Sequence, residues 1–159
     1  MMIGVIGGDS PPQDALPIAE AVGREIARLG HTLICGGRGG VMEAASRGAR
    51  QEGGHTIGVL PGEDRREANP HVEFAIVTNM GYARNNIIVL SADGLIAVDG
   101  SYGTLSEIAI ALAYGKPVVG LGTWHISDDR GVEDERIVRA SDPAEAVALA
   151  ISAAEAVLA

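Results

Sequence analysis

The segment VDGSYGTLSEIAIAL, residues 98–112, joins an apolar run to a helix-like pattern through a turn of unusual composition. Residues 95–98 have the character of a short buried strand, and apolar residues at helical spacing follow Thr104. Two glycines, two hydroxyl residues and a tyrosine lie between them. A helix that holds an anion at its first turn uses such residues, because free backbone N–H groups and the helix dipole favour negative charge there. The segment therefore predicts a strand–turn–helix unit with a phosphate-type site.

The same alternation of strand and helix recurs along the whole chain. Strands are predicted at residues 2–6, 32–35, 55–60, 73–77, 94–98 and 116–121. Helices are predicted at residues 15–29, 41–51, 83–90, 104–115 and 142–158, and residues 127–136 are predicted to be a solvated acidic loop. Short apolar strands that alternate with helices are typical of a parallel sheet covered on both faces. We therefore predict an α/β, Rossmann-like, doubly wound fold with a mainly parallel sheet, formed by residues 1–159 as one domain.

Three glycine-rich turns, at residues 7–10, 36–40 and 99–103, each follow a predicted strand. The carboxyl ends of parallel strands meet at one edge of the sheet, which is where such folds bind ligands. Glycines in the second turn allow close approach of the backbone to a ligand, and the third turn supplies N–H and hydroxyl donors. The predicted ligand-binding residues of these two turns are Gly36, Gly37, Gly39, Gly40, Gly100, Ser101, Tyr102, Gly103 and Thr104.

Composition excludes several classes of partner. The formal net charge of −9 argues against a nucleic-acid or membrane-surface partner, which would need a basic face. The single cysteine, Cys35, cannot form an internal disulfide, and a strand-end cysteine is usually a packing residue. Residues 1–4 show neither a basic segment nor a long apolar stretch, so we expect no signal peptide and a cytoplasmic protein.

Common nucleotide and metal motifs are absent. The first turn reads GGDSPPQ and lacks the G-x-G-x-x-G pattern, and no G-x-x-x-x-G-K-[ST] motif occurs. The four histidines are scattered and none pairs with another ligand at helical spacing, so no metal site is predicted. A phosphate-type site without a standard nucleotide fingerprint remains.

Arg84, Asn85 and Glu107 complete the candidate site. Arg84 and Asn85 lie where a predicted helix begins on the ligand edge, and an arginine fork suits a phosphate. Thr104 and Glu107 have the spacing of a capping box, in which the glutamate would only cap its own helix. Spacing alone favours that capping role, although a capping Glu107 would still lie beside the bound anion.

The last predicted helix is rich in alanine and apolar on nearly all sides. Such a helix is buried on more than one side, as at a subunit interface, or is an alanine-rich surface helix. Both interpretations remain open.

Three segments resemble the LOG-like Rossmann superfamily, which includes the cytokinin-activating LOG phosphoribohydrolases and the molybdenum-cofactor carrier proteins. These segments are GGRGGVMEAASRGA, ARNNIIVLSADGLIAVDGSYGTLSEIAIAL and GKPVVGL, and the resemblance runs from Gly4 to about Leu121. Some members carry an old lysine decarboxylase label, which fails here because the only lysine, Lys116, lies at the edge opposite the ligand side.

The resemblance assigns roles to matching residues. The LOG hallmark P-G-G-x-G-T-x-x-E follows an Arg-Lys pair, and Gly100, Gly103, Thr104 and Glu107 match the hallmark while Arg84 matches the arginine. By resemblance Arg84 and Glu107 are the catalytic pair and the glycine turn holds a phosphate. Asp99 replaces the proline, Ser101 the second glycine and Asn85 the lysine.

Two functions therefore compete. The ARNN form resembles the carrier branch more closely, which implies a binder of a phosphorylated small molecule, either molybdenum cofactor or a nucleoside monophosphate, with no cofactor required for catalysis. The alternative is a phosphoribohydrolase that cleaves the N-glycosidic bond of a nucleoside 5′-monophosphate. The resemblance also implies a homodimer or homotetramer, and the net charge argues against the DNA-binding relatives of this fold.

Overall fold

A seven-stranded parallel sheet organises the molecule, in the strand order β4-β3-β2-β1-β5-β6-β7. The computed structural model describes all 159 residues. The strands are β1 (Met2–Gly7), β2 (Thr32–Cys35), β3 (Thr56–Leu60), β4 (Phe74–Val77), β5 (Gly94–Val98), β6 (Val118–Leu121) and β7 (Ile137–Arg139). The helices are α1 (Ala15–Arg28), α2 (Val41–Gln51), α3 (Asn85–Ser91), α4 (Tyr102–Ala113) and α5 (Pro143–Leu158).

The α/β, Rossmann-like, doubly wound fold is confirmed, with the parallel sheet buried between two helical layers. Helices α1, α2 and α5 pack on one face around Ile3, Val5 and Ile96, while α3 and α4 pack on the other around Ile6 and Ala97. Because successive side chains of a strand point to opposite faces, each central strand contributes to both cores. None of the five helices combines the length and the apolar character of a membrane-spanning segment.

Strand β7 and two 3₁₀ turns are absent from the sequence-based prediction. The turns are Arg65–Glu67, before β4, and Gly81–Arg84, which leads directly into α3. The connection from β3 to β4 contains only the first of these turns, so no helix covers β4 on that crossover. Strand β7 is three residues long, too short for apolar periodicity to reveal it.

The order of the strands reverses between β1 and β5, which pair in parallel from Ile3 with Gly94 to Gly7 with Val98. The glycine-rich turns at residues 7–10, 36–40 and 99–103 follow β1, β2 and β5, three adjacent strands. Crevices for ligands form at such a switch point, beyond the carboxyl ends of the strands. The predicted convergence of the three turns is therefore confirmed.

Candidate functional site

A cleft of about 280 Å³ opens at this switch point. Seven of the predicted site residues line it: Gly36, Arg84, Asn85, Ser101, Gly103, Thr104 and Glu107. Gly37, Gly39, Gly40, Gly100 and Tyr102 lie outside its wall. This volume lies just below the range of about 300–1,000 Å³ that is typical of pockets for small organic ligands.

The first turn of α4 forms one wall of the cleft. Ser101 is the N-cap residue, yet its side chain forms no capping hydrogen bond. Thr104 is 1% exposed, and its buried Oγ1 has no hydrogen-bond partner. The first backbone N–H groups of a helix have no partner within the helix, and the dipole adds partial positive charge. The turn therefore offers unused donors to an anion.

Asn85 and Ser106 hold this turn in place through hydrogen bonds. The Asn85 side-chain amide donates to Ser106 Oγ at 2.9 Å, and Ser106 Oγ donates to the Gly103 carbonyl at 2.7 Å. Asn85 is 3% exposed, so the amide is held in place by the surrounding core. Asn85 therefore links the start of α3 to the first turn of α4.

The Arg84 guanidinium lies inside the cleft without a hydrogen bond. Arg84 is 9% exposed, and its buried Nε has no partner. Its one ion-pair partner is Glu107, with Nη1 and Oε1 3.7 Å apart, beyond hydrogen-bonding distance. Burial lowers the pKa of Arg84, although the Glu107 carboxylate opposes that shift. A buried cation with unused donors is a strong attractor for a second anion.

Gly36 makes room for that guanidinium. A Cβ at Gly36 would lie 2.6 Å from Nη2 and 2.7 Å from Nη1 of Arg84, and 2.7 Å from Sδ of Met42. Any side chain at this position would displace the arginine. The glycine of the second turn therefore acts by admitting Arg84, a role that sequence reasoning did not anticipate.

Glu107 is not a helix cap. Helix α4 begins at Tyr102 with Ser101 as N-cap, which places Glu107 in the second turn, so the capping-box interpretation with Thr104 as N-cap is wrong. The side chain is instead directed into the cleft, 8% exposed. Burial raises the pKa of Glu107 to about 7, and attraction by Arg84 only partly offsets this. The carboxyl group is therefore poised to exchange a proton near neutral pH.

The rest of the 36–40 turn is fixed by contacts that the sequence did not reveal. The Asn69 amide donates to the Gly37 carbonyl at 3.2 Å and to the Arg38 carbonyl at 2.8 Å. Gly37 and Gly40 have φ of 74° and 62°, in the left-handed region that glycine tolerates. Asn69 lies in the polar loop 61–70, where no local pattern marks it.

Sequence reasoning also missed several residues of the cleft wall. Arg38 lies in the glycine-rich turn 36–40 and Asp9 in the turn 7–10, so the glycine pattern of these turns could have revealed both. Tyr82 is two residues before Arg84 and could have been found from that neighbour. Met42 and Pro61 carry no chemical signal of their own. These five residues line the cleft.

Neither a reactive cysteine nor a metal site adds to this cleft. Cys35 is fully buried, its Sγ accepts a hydrogen bond from the Gly37 N–H at 3.3 Å, and burial raises the pKa of its thiol. No cluster of three or more histidine, cysteine or acidic side chains has the geometry to hold a metal ion.

The profile of the SLOG cluster4 family matches residues 1–147. The chain belongs to this family. The LOG-like resemblance of the three sequence segments is thereby confirmed.

The chain is similar to members of both functional branches. It is 41% identical to the molybdenum cofactor carrier protein of Chlamydomonas reinhardtii, covering 98% of each chain with a TM-score of 0.84. It is 33% identical to a cytokinin riboside 5′-monophosphate phosphoribohydrolase of Mycobacterium marinum, over 70% of this chain and 64% of the enzyme. It is also 50% identical to an uncharacterized protein of Archaeoglobus fulgidus, over 76% of this chain and 80% of that protein.

Proposed function

We propose that this chain binds a phosphorylated small molecule in the cleft, as a carrier of a phosphorylated pterin of the molybdenum-cofactor type. The observation that carries the proposal is the Arg84 guanidinium, which is buried at the cleft and forms no hydrogen bond within the chain. The unused donors of α4 line the same cleft, so a phosphate would find both a charged fork and a helix start.

The donor set fits the phosphate group of such a cargo. The unpartnered Oγ1 of Thr104 and the unpartnered Nε of Arg84 are buried polar atoms that a bound anion would satisfy. Similarity to a carrier over the full length of both chains supports this cargo over a nucleotide, because the match to the phosphoribohydrolase is partial.

The carrier proposal predicts a cargo that co-purifies with the chain. The full chain is expressed in a host that makes molybdenum cofactor, and the released small molecules are analysed by mass spectrometry and elemental analysis for molybdenum. We expect a phosphorylated pterin with the wild type and a loss of about tenfold with Arg84→Ala. Arg130→Ala is the matched control, because Arg130 is exposed and pairs only with Asp128 outside the cleft.

Two results would contradict the carrier proposal. Equal amounts of cargo on the wild type and Arg84→Ala would remove Arg84 from binding. A nucleoside monophosphate in place of the pterin would keep the phosphate site and reject the pterin cargo.

A second candidate, hydrolysis of a nucleoside 5′-monophosphate, is favoured by one specific observation. Glu107 has a pKa of about 7 and lies 3.7 Å from Arg84, so both protonation states are populated at neutral pH. In this reaction the ionised Glu107 would take a proton from a water molecule while the water oxygen forms a bond to C1′ of the ribose and the N-glycosidic bond breaks. Glu107 would then give that proton to the leaving base, and Arg84 would hold the phosphate.

The two functions differ in turnover. We expect the wild type to release little or no ribose 5-phosphate from AMP, as measured by chromatography of free adenine. Rapid release that is lost in Glu107→Gln, with phosphate binding retained, would instead assign the chain to the phosphoribohydrolases.

A further inference from the structure

Tyr82 presents an unpartnered aromatic ring at the cleft. It lines the cleft while 82% of its surface remains exposed. An aromatic side chain beside a few placed polar donors is the usual lining of a ligand pocket.

The ring is held beside the phosphate-type site. A Cβ at Gly103 would lie 3.6 Å from Cε1 of Tyr82, an ordinary contact distance, so the ring lies against the first turn of α4. Tyr82 also shares the 3₁₀ turn Gly81–Arg84 with Arg84. The Gly81 N–H donates to the Pro61 carbonyl at 3.0 Å, and the Ala83 N–H to the Met80 carbonyl at 3.1 Å. One braced turn thus carries both the cationic and the aromatic group.

Aromatic residues are scarce in this chain, which has three tyrosines, one tryptophan and one phenylalanine. Two of the tyrosines, Tyr82 and Tyr102, flank the start of α4. Tyr102 already packs on Trp124, with ring centroids 5.7 Å apart. Tyr82 has no aromatic partner within the chain and is the one aromatic residue in the cleft wall. Its free face is therefore available to a ligand ring.

We propose that Tyr82 is a specificity-determining residue, on which the planar ring of a phosphate-bearing heterocycle stacks. The inference rests on the proposed function, because it presumes that a phosphate occupies Arg84 and the first turn of α4. The ligand class is then a phosphate ester with a flat heteroaromatic ring, in preference to a sugar phosphate alone. Stacking on tyrosine recognises the π face and is tolerant of the identity of the ring.

The test compares AMP with ribose 5-phosphate by titration calorimetry on the full chain, with chromatography to verify that AMP stays intact. Both probes carry the phosphate, and only AMP carries a ring. We expect Tyr82→Ala to raise the dissociation constant of AMP by about 5-fold to 150-fold, as typical for loss of a base–aromatic stack, and to leave that of ribose 5-phosphate unchanged. Tyr82→Phe should retain AMP binding. Tyr114→Ala at the far end of α4 is the matched control, because it removes an exposed tyrosine outside the cleft.

Each other outcome overturns the inference in a recognisable way. If Tyr82→Ala weakens the binding of both probes equally, or of neither, Tyr82 does not recognise the ring. Loss of binding of both probes in Arg84→Ala would still support the proposed function. If Tyr82→Ala changes the sedimentation coefficient of the protein but not its relative affinity for AMP and ribose 5-phosphate, the Tyr82 ring belongs to an interface between copies of the chain. If neither probe binds the wild type, this inference fails, and the co-purification of a phosphorylated pterin then decides separately whether the proposed function stands.

Discussion

Arg84 and Glu107 are the charged side chains that this fold buries, and they meet at the cleft. Burying a charge is costly unless it is paired and hydrogen-bonded, and their 3.7 Å separation gives attraction without a hydrogen bond. Such an incomplete pair leaves Arg84 free to accept an anionic ligand. The protonation state of Glu107 then sets how much positive charge the ligand meets.

Anion affinity should therefore depend on pH through Glu107. The pKa of Glu107 is raised to about 7, so the carboxyl group is neutral below that pH and ionised above it. We expect sulfate to bind about three- to tenfold more tightly at pH 6 than at pH 8, because the ionised carboxylate repels it. Sulfate keeps its charge over this range, and calorimetry measures its dissociation constant.

A variant of Glu107 tests whether this residue causes the pH dependence of sulfate binding. The other ionisable groups nearby are Arg84, Arg38, Asp9, Cys35 and Tyr82, and no histidine lines the cleft. Glu107→Gln should bind sulfate with nearly equal affinity at both pH values. A pH dependence that persists in Glu107→Gln would show that another group titrates.

Helices α4 and α5 begin in opposite ways. At the start of α5, Asp142 accepts a hydrogen bond from the Glu145 N–H at 2.9 Å, and Glu145 accepts one from the Ser141 N–H at 2.7 Å. At the start of α4, the Ser101 side chain forms no such bond. A capped start satisfies its own donors, whereas an open start keeps them for a ligand.

This contrast predicts unequal effects on stability. Asp142→Ala should lower the free energy of unfolding by about 1 kcal/mol, a typical loss for an N-cap carboxylate. Ser101→Ala should change it by much less, because no capping bond is removed. Urea unfolding followed by circular dichroism measures both, and an equal loss in the two variants would contradict an open start of α4.

At the scale of the whole molecule, the edge of the sheet at β4 is left uncovered. Phe74 and Ile76 are 54% and 45% exposed, and they pair with Ile57 and Val59 on the face that α3 and α4 cover elsewhere. Helix α5 instead packs Ala146, Val147 and Ala150 against the sheet, and its large exposed apolar side chains, Val157 and Leu158, lie in its last turn. The apolar pattern of α5 is thus largely explained within one chain, whereas Phe74 and Ile76 leave an open apolar surface at β4.

The homo-oligomer expected from the sequence should therefore form through β4. Sedimentation at micromolar concentration should give at least a dimer, and Ile76→Asp should shift it to the monomer, because the carboxylate would be buried in the interface. Val157→Asp, near the end of α5, should leave the dimer intact. If Val157→Asp dissociates the dimer, the interface lies at α5 and not at β4. A wild type that sediments as a monomer would contradict the expected homo-oligomer.

The sequence by itself determined the α/β class, most of the strands and helices, and the meeting of three glycine-rich turns at one edge. These features depend on local periodicity and on the rule that parallel strands end at the same edge, so they can be read along the chain. The candidate residues Gly36 and Ser101 followed from two of these turns and Arg84 from a predicted helix start at the same edge, and the structure brings all three to one cleft.

Only the tertiary structure decided how these residues act on one another. The packing of α3 against α4 brings Arg84 to Glu107 and Asn85 to Ser106, and burial between these elements raises the pKa of Glu107. Asn69 reaches the glycine-rich turn from a loop without periodicity, and Tyr82 reaches the first turn of α4. The spacing of Thr104 and Glu107 favoured a capping role for Glu107, which is wrong because a local pattern does not reveal where a helix begins in the folded chain. Contact between distant segments depends on sheet order and packing, for which no short stretch of sequence carries a signal.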